Sequence, residues 1–194
     1  MTSRISNFGF IILNPDRNIK YLANTIESIK TGYPEMDYIS VVPDAKISDF
    51  SPYCKTYKAP ENTYSSMINT ALKNSKYDWN IIILAGSWVK QTLNNIQNNY
   101  IKSEDFVLFP VPRFKTEVKK DSRFDKASFC QGSINGIFIH KNAAKKLGEM
   151  PSSPTIQQPE TLSVNDFELI KLEWSYSGIS KGIKFVPLFG ISIC

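Results

Sequence analysis

The sequence contains few of the residues that build metal centres or disulfide frameworks. Its 194 residues include three cysteines and a single histidine, His140. The cysteines, Cys54, Cys130 and Cys194, lie far apart, and no pair has the short spacing typical of a zinc site. This scarcity argues against a zinc-binding or disulfide-stabilised protein, so we expect free thiols in a reducing compartment.

Long hydrophobic runs are also absent. No stretch approaches the roughly 20 consecutive apolar residues that a membrane helix requires. Met1 to Asn7 is polar, and the apolar run that follows, Phe8 to Leu13, is short for a signal peptide and has no small-residue cleavage site after it. From these features we expect a cytoplasmic protein without a membrane span.

The excess of positive charge is modest and is dispersed along the chain. Lys and Arg total 23 against 18 Asp and Glu, which gives a net charge of +5. The only adjacent basic pairs are Lys119-Lys120 and Lys145-Lys146, and no aromatic-basic motif of an RNA-binding sheet is present. We therefore expect no nucleic-acid partner and favour a phosphate-bearing small ligand.

The sequence does contain apolar runs with strand character that alternate with segments of helical periodicity. This alternation predicts an α/β sheet with crossover helices, and the absence of a linker or repeat predicts one domain over 1–194. The predicted strands are 8–13, 38–42, 79–84, 106–111, 136–140, 183–186 and 189–193, with a short extended piece at 54–59. The predicted helices are 19–29 with a stop at Gly32, 64–74 capped by Asn62 or Thr63, 89–98, 141–147 with a stop at Gly148, and 163–178 with a stop at Gly178.

Several short motifs follow one another in a set order along these elements. They are Ile12-Leu13-Asn14-Pro15-Asp16-Arg17, Ile26-Glu27-Ser28-Ile29, Val41-Val42-Pro43-Asp44, Asn69-Thr70-Ala71-Leu72, the strand 77–84, the Gly-containing segment 132–148, and Asn165-Asp166. In this order they resemble the motifs of the family 2 inverting glycosyltransferases and their GT-A relatives. The resemblance implies a three-layer α/β/α sandwich with a mainly parallel sheet, and a nucleotide-sugar donor as partner.

The resemblance also implies roles for individual residues. Asp16, Asp44 and Ser87 occupy positions that contact the nucleotide, and Asp166 occupies the position of the base that takes the acceptor proton. Asp16 and Asp44 also suit a purely structural role as turn residues. Asp166 likewise suits a structural role, because a carboxylate is favoured in the first turn of a helix.

One motif of the family is missing from the sequence. Where the family has an Asp-x-Asp motif that holds Mg²⁺ or Mn²⁺, this chain has Ala85-Gly86-Ser87. Hard divalent cations prefer charged oxygen ligands, so no cofactor is assigned and a divalent metal of the family's kind is left open. Without a metal, the donor diphosphate needs cations, and the candidates are Lys90, Arg113 and Arg123.

Two further residues have competing interpretations. Trp88 follows directly after a predicted strand, where it can stack on a sugar or base, but we favour a buried edge residue. His140 ends a short apolar strand and is interpreted as structural or surface-exposed. The stretch 132–136 is glycine-rich but lacks the Lys-Ser/Thr ending of a phosphate-binding loop.

Three functions are consistent with these observations. The first is a glycosyltransferase-like enzyme that inverts the configuration at the transferred sugar. The second is a catalytically weakened relative that binds a nucleotide sugar or a glycan, or acts as an assembly partner, and a homo-oligomer is compatible with either. The third is a nucleotide-binding α/β protein with unrelated chemistry. The segment 112–129 and the segment 151–159 are expected to be loops at which an acceptor is recognised.

Overall fold

A computed structural model of the chain describes residues 8–43, 46–89, 106–110, 136–152 and 174–188. The strands are β1 (Phe8–Leu13), β2 (Asp37–Pro43), β3 (Thr56–Ala59), β4 (Trp79–Leu84), β5 (Phe106–Pro110), β6 (Ile137–His140) and β7 (Lys184–Leu188). The helices are α1 (Ile19–Gly32), α2 (Tyr64–Asn74) and α3 (Lys141–Leu147), with a 3-10 turn at Ile47–Asp49 and a helical stretch at 174–180.

Most of the element bounds agree with the sequence-based predictions. β1, β4, α2 and α3 match them to the residue, and α1 ends at Gly32 as predicted. The ends of the other described strands differ from prediction by one or two residues. Several predicted elements lie wholly or mostly outside the described residues. They are the helix 89–98 beyond Val89, the loop 112–129, most of the loop 151–159, the first part of the last helix and the strand 189–193.

The seven described strands form one sheet in the order β3-β2-β1-β4-β6-β5-β7. Pairing is parallel throughout β3-β2-β1-β4 and between β5 and β7, whereas β6 is antiparallel to both of its neighbours. Six of these strands therefore point the same way and one opposes them. β1-α1-β2 is a parallel crossover unit, as the sequence predicted.

Apolar side chains cover both faces of the sheet. Alternation along β1 sends Phe10 and Ile12 to one face and Ile11 and Leu13 to the other, and all four are fully buried. The first face packs against α1 through Leu22, Ile26 and Ile29. The second face packs against α2, α3 and the helical stretch at 174–180 through Met67, Ile68, Ala143, Leu147 and Trp174. The predicted three-layer α/β/α sandwich is confirmed.

Side-chain caps explain where three of the helices begin. The Asn18 side chain accepts from the Tyr21 amide at 3.1 Å at the start of α1. Thr63, not Asn62, caps α2, since its hydroxyl accepts from the Ser66 amide at 3.1 Å. His140 caps α3 and packs edge-on against the Trp79 ring, with 5.2 Å between ring centroids. His140 is therefore a buried structural residue.

The last helix does not stop at Gly178, and that prediction is wrong by two residues. Helical geometry continues through Ser180, and Gly182 adopts the left-handed conformation at φ +77. The Ile183 amide donates to Gly178 O and the Gly182 amide donates to Ile179 O, both at 3.0 Å, which is the Schellman pattern of helix ends. Gly178 instead serves packing, since a Cβ there would lie 2.5 Å from Leu147 Cδ2.

Candidate functional site

The order in which the chain builds the sheet reverses direction at β1. From β1 the chain moves outward to β2 and β3, then returns to the other side of β1 to form β4. Open α/β sheets bind ligands beyond the carboxyl ends of their strands at such a reversal of direction. The loops after β1 and β4 meet at this carboxyl-end edge of the sheet. Asp44, which follows β2, lies outside the described residues.

The turn after β1 is held in a single conformation by Asn14. This residue is fully buried, and its backbone N–H donates to Val41 O of β2 at 2.9 Å. Its side-chain oxygen accepts from the Asn18 amide at 3.0 Å, and the Arg17 amide donates to Asn14 O at 3.2 Å. Arg17 takes the left-handed conformation, with φ at 56. These bonds fix the path from β1 into α1 and leave Asp16 exposed at the tip of the turn.

The electrostatic environment of Asp16 connects it to the start of α2. Partial burial raises the pKa of the Asp16 carboxyl. Burial raises the pKa of Tyr64, the first residue of α2, to about 12, and the negative charge of Asp16 adds to this effect. Asp16 is thus exposed at the tip of the turn, and its negative charge acts on the first residue of α2.

The Tyr64 phenol predicts a loss of stability in alkali. The folded chain keeps the phenol proton up to a pKa of about 12, whereas the unfolded chain loses it near 10.0. The resulting stability is fully present below the unfolded pKa and is lost as pH rises through the folded pKa. The Tyr64→Phe variant has no phenol that can ionise. Its free energy of unfolding therefore falls less than that of the wild type as the pH rises from 10.0 to about 12. Urea unfolding of both proteins on either side of pH 10 measures this difference, and parallel pH profiles would contradict it.

After β4 the chain turns back along α1 as the Ala85–Val89 segment. Backbone hydrogen bonds hold the first two residues of this segment. The Ala85 amide donates to Leu13 O at 2.8 Å, and the Gly86 amide donates to Tyr21 O at 3.2 Å. Gly86 has φ at +96, a conformation that L side chains rarely adopt. The turn therefore joins the ends of β4 and β1 to the first turn of α1.

Two buried hydroxyls of α1 hold the rest of the Ala85–Val89 segment. Thr25 Oγ1 accepts from the Gly86 amide at 2.8 Å and donates to Ser87 O at 3.1 Å. One turn further on, Ser28 Oγ accepts from the Val89 amide at 3.2 Å. Sequence reasoning did not identify either hydroxyl. The sequence did contain a pattern that could have predicted them, because two small polar residues lie within the apolar face of this helix. A buried hydroxyl in such a position requires a hydrogen-bond partner.

The Ala85–Val89 segment does not fit a divalent cation. Ala85 and Gly86 have no side-chain oxygen, Ser87 is only 4% exposed, and its carbonyl already accepts from Thr25. Across the ranges that the structure describes, no group of three or more His, Cys, Asp and Glu could hold a metal ion. The hard cations Mg²⁺ and Mn²⁺ require several oxygen ligands, so these residues provide no basis for a metal-dependent step.

The structure brings two of the predicted ligand contacts to the same edge. Asp16 is exposed there, whereas Ser87, within the Ala85–Val89 segment, is buried. Trp88 is 51% exposed, which corrects the favoured interpretation of a buried edge residue. The other predicted site residues lie outside the described ranges and stay predictions: Asp44, Lys90, Arg113, Arg123 and Asp166.

Solved structures of two bacterial proteins have a fold similar to that of this chain. Staphylococcus aureus TarS 1-349 matches with a TM-score of 0.62 and 12% identity, over 96% of this chain and 59% of TarS 1-349. The same protein in complex with UDP-GlcNAc matches with a TM-score of 0.60 and 12% identity, over 96% of this chain and 57% of that one. Mycobacterium tuberculosis glucosyl-3-phosphoglycerate synthase matches with a TM-score of 0.50 and 11% identity, over 96% and 72% of the two chains.

These similarities show the fold. The chain has a GT-A-like nucleotide-diphospho-sugar transferase fold, as its motif order predicted. No protein-family model matches the chain, and no curated protein sequence matches it significantly. The chain spans 59% of the length of the TarS structure it resembles. None of the helices within the described ranges is both long enough and apolar enough to cross a bilayer.

Proposed function

We propose that the protein is a glycosyltransferase-like enzyme that transfers a sugar from a nucleotide-sugar donor to an acceptor with inversion. The observation that carries this proposal is the reversal of strand order between β1 and β4, with an exposed carboxylate, Asp16, in the loop that follows β1. The GT-A-like fold and the UDP-GlcNAc complex of TarS support a nucleotide sugar as the ligand class.

In this proposal the nucleotide lies across the ends of β1 and β2. Asp16, and Asp44 after β2, accept hydrogen bonds from the base or the ribose hydroxyls. The Asn14 network keeps Asp16 in place before the donor arrives, so little conformational entropy is lost on binding. The Ser87 side chain is nearly buried, and its predicted contact with the nucleotide would require the segment to open.

The diphosphate lies beyond the end of β4. The Ala85–Val89 segment offers no carboxylate there, so basic side chains balance the negative charge of the departing nucleoside diphosphate. Lys90, Arg113 and Arg123 are the candidates. Arginine suits this role because its planar guanidinium forms paired hydrogen bonds with phosphate oxygens.

The chemical step is a single displacement at the anomeric carbon of the donor sugar. The acceptor oxygen forms a bond to that carbon as the bond to the diphosphate oxygen breaks, and the diphosphate leaves with the electron pair. Asp166 takes the acceptor proton as general base. Attack from the face opposite the leaving group inverts the configuration of the sugar.

One observation favours a second function, a binding protein that has lost turnover. The Ala85–Val89 segment is fixed by four hydrogen-bonding groups and carries no ligand for a metal. Such a protein would bind the donor or a glycan at the same edge of the sheet without breaking the sugar–phosphate bond. Fold alone does not decide between these two functions.

Donor turnover tests the proposal. The protein is incubated with UDP-, GDP- and CDP-hexoses, with and without Mn²⁺, in the presence of mixed oligosaccharide acceptors, and released nucleoside diphosphate is measured by chromatography. We expect release from one donor class without Mn²⁺, and none from Asp166→Asn. Binding of a donor without release would support the binding protein instead. Neither binding nor release from any donor would contradict the enzyme and the donor-binding protein, and would leave only the glycan-binding form of the second function.

A further inference from the structure

Arg17 ends the turn after β1 in a conformation that an arginine rarely adopts. Its backbone N–H donates to Asn14 O at 3.2 Å, which closes a turn over residues 14–17. Arg17 is the fourth residue of this turn and has φ at 56, in the left-handed region. Glycine is common at the fourth position of such turns, because it adopts a positive φ without strain. The chain therefore places a long cationic side chain where the backbone geometry favours glycine.

The Arg17 guanidinium has no structural partner in the part of the chain that the structure describes. It is exposed, and it forms no hydrogen bond or ion pair there. Its neighbour Asp16 does not pair with it. A guanidinium beside a carboxyl would lower the pKa of that carboxyl, whereas partial burial raises the pKa of Asp16. The negative charge of Asp16 acts instead on Tyr64, at the start of α2.

Arg17 is the only cation in the two loops that meet where the strand order reverses. These loops are residues 14–18 after β1 and residues 85–89 after β4. They are adjacent, since β1 pairs with β4 and the Ala85 backbone N–H donates to Leu13 O at 2.8 Å. The Ala85–Val89 segment supplies no charged side chain of its own. A positive charge at this point therefore comes from Arg17.

Two other exposed cations lie in neighbouring parts of the chain. Lys20 is the second residue of α1 and shares one side of the helix with Asn24 and Glu27, which are both exposed. Lys46 follows β2, which is two strands from β4 and so about 10 Å away. Neither belongs to the two loops that meet at the reversal of strand order, so Arg17 is the cation that the sheet topology brings there.

We propose that Arg17 binds the diphosphate of the nucleotide donor. This inference rests on the proposed function, which supplies the nucleotide. A nucleoside diphosphate has neutral hydrogen-bonding groups on its base and ribose, and negative charge on its phosphates. Asp16 accepts hydrogen bonds from the neutral groups, and the Arg17 guanidinium forms paired, charge-assisted hydrogen bonds with the phosphate oxygens. Adjacent residues of opposite charge that do not pair with each other suit these two parts of one ligand.

Arg17→Gly tests the proposal with the fold intact, because glycine adopts a φ of 56 without strain, and we expect no fall in Tm. Calorimetry measures the Kd of UDP, GDP and CDP, with the matching nucleoside and pyrophosphate added as competitors. We expect Arg17→Gly to weaken binding of the preferred nucleoside diphosphate and of pyrophosphate about tenfold, and to leave the nucleoside unchanged. Arg17→Lys has a smaller effect, since lysine keeps the charge but not the paired geometry. The control Lys73→Ala removes the same charge from the last turn of α2 and changes none of these constants.

The competitors separate this inference from the proposed function. A nucleoside diphosphate that binds Arg17→Gly as tightly as the wild type would overturn the inference, while the proposed function would stand. An equal loss for the nucleoside and the diphosphate would also overturn it, since Arg17 would then contact the base or the ribose. If no nucleotide binds the wild type, the proposed function is contradicted and direct titration with pyrophosphate decides the inference. Pyrophosphate binding that Arg17→Gly weakens would support a diphosphate site at Arg17, and any other result would overturn it.

Discussion

Replacement of Gly9 by alanine is expected to lower the free energy of unfolding by about 3 kcal/mol. Gly9 lies in β1, which is paired on both sides, and a Cβ at this position would overlap the ring of Tyr77. Tyr77 is buried in the core on the α2 face. Neither a central strand nor a buried ring can move aside without loss of packing, so the added methyl group strains both.

Urea unfolding of Gly9→Ala and of a matched variant, Gly32→Ala, checks this expectation. Among the described residues, a Cβ on Gly32, the last residue of α1, would meet only Val89 O at 3.8 Å, which is an ordinary contact. Because alanine is favoured over glycine in a helix by about 1 kcal/mol, Gly32→Ala leaves the protein as stable or slightly more stable. Equal effects of the two substitutions would show that Tyr77 does not lie against β1.

Thr25→Val is expected to cost about 3 kcal/mol of stability. The substitution keeps the shape of the side chain but removes the hydroxyl that accepts from the Gly86 amide and donates to Ser87 O. Each buried backbone group that loses its partner costs about 1–3 kcal/mol. The Gly86 amide keeps a longer bond of 3.2 Å to Tyr21 O, which limits the loss on that side.

Thr31→Val is the matched control for this prediction, because it makes the same change on the same helix. The Thr31 hydroxyl donates to Glu27 O at 2.9 Å, but it is exposed and water can replace it. We therefore expect a change within about 0.5 kcal/mol. Thermal unfolding of both variants measures the difference. A Thr25→Val protein as stable as Thr31→Val would mean that Thr25 does not hold the Ala85–Val89 segment.

The sequence was sufficient for elements whose local signals agree with their packing. β4 is a nearly continuous apolar run buried on both faces, and α2 has both a capping threonine and an apolar face, so the bounds of both could be read directly. The direction of β6 could not be predicted. Its four residues are equally apolar in a parallel or an antiparallel strand, and only its partners in the sheet decide.

Where two residues were equally suited to one role in the sequence, tertiary packing determined which of them has that role. Gly178 and Gly182 each could end the last helix, and the lack of room for a Cβ beside Leu147 shows why the first is a packing residue instead. Trp88 is a similar case. Its sequence position suits a buried or an exposed side chain, and the anchoring of its neighbours to Thr25 and Ser28 turns it outward.

The candidate site was predicted only in outline. The positions of Asp16 and Ala85-Gly86-Ser87 at the edge follow from the strand order, which the motif order anticipated. The hydroxyls that hold the segment were not anticipated, because Thr25 and Ser28 contact it across about 60 residues of sequence. A local sequence pattern cannot predict a contact between residues so far apart in the chain.

The most direct test of the central claim is a thermal-shift titration with UDP, GDP and CDP, each with and without Mn²⁺. A ligand at about 100 times its Kd stabilises the folded state by about 2.7 kcal/mol, which raises Tm by roughly 5–10 °C for a chain of this size. We predict such a shift with one nucleotide, unchanged by Mn²⁺ and reduced in Asp16→Asn. A shift that requires Mn²⁺, or no shift with any nucleotide, would contradict a metal-independent donor site at the end of β1 and β4.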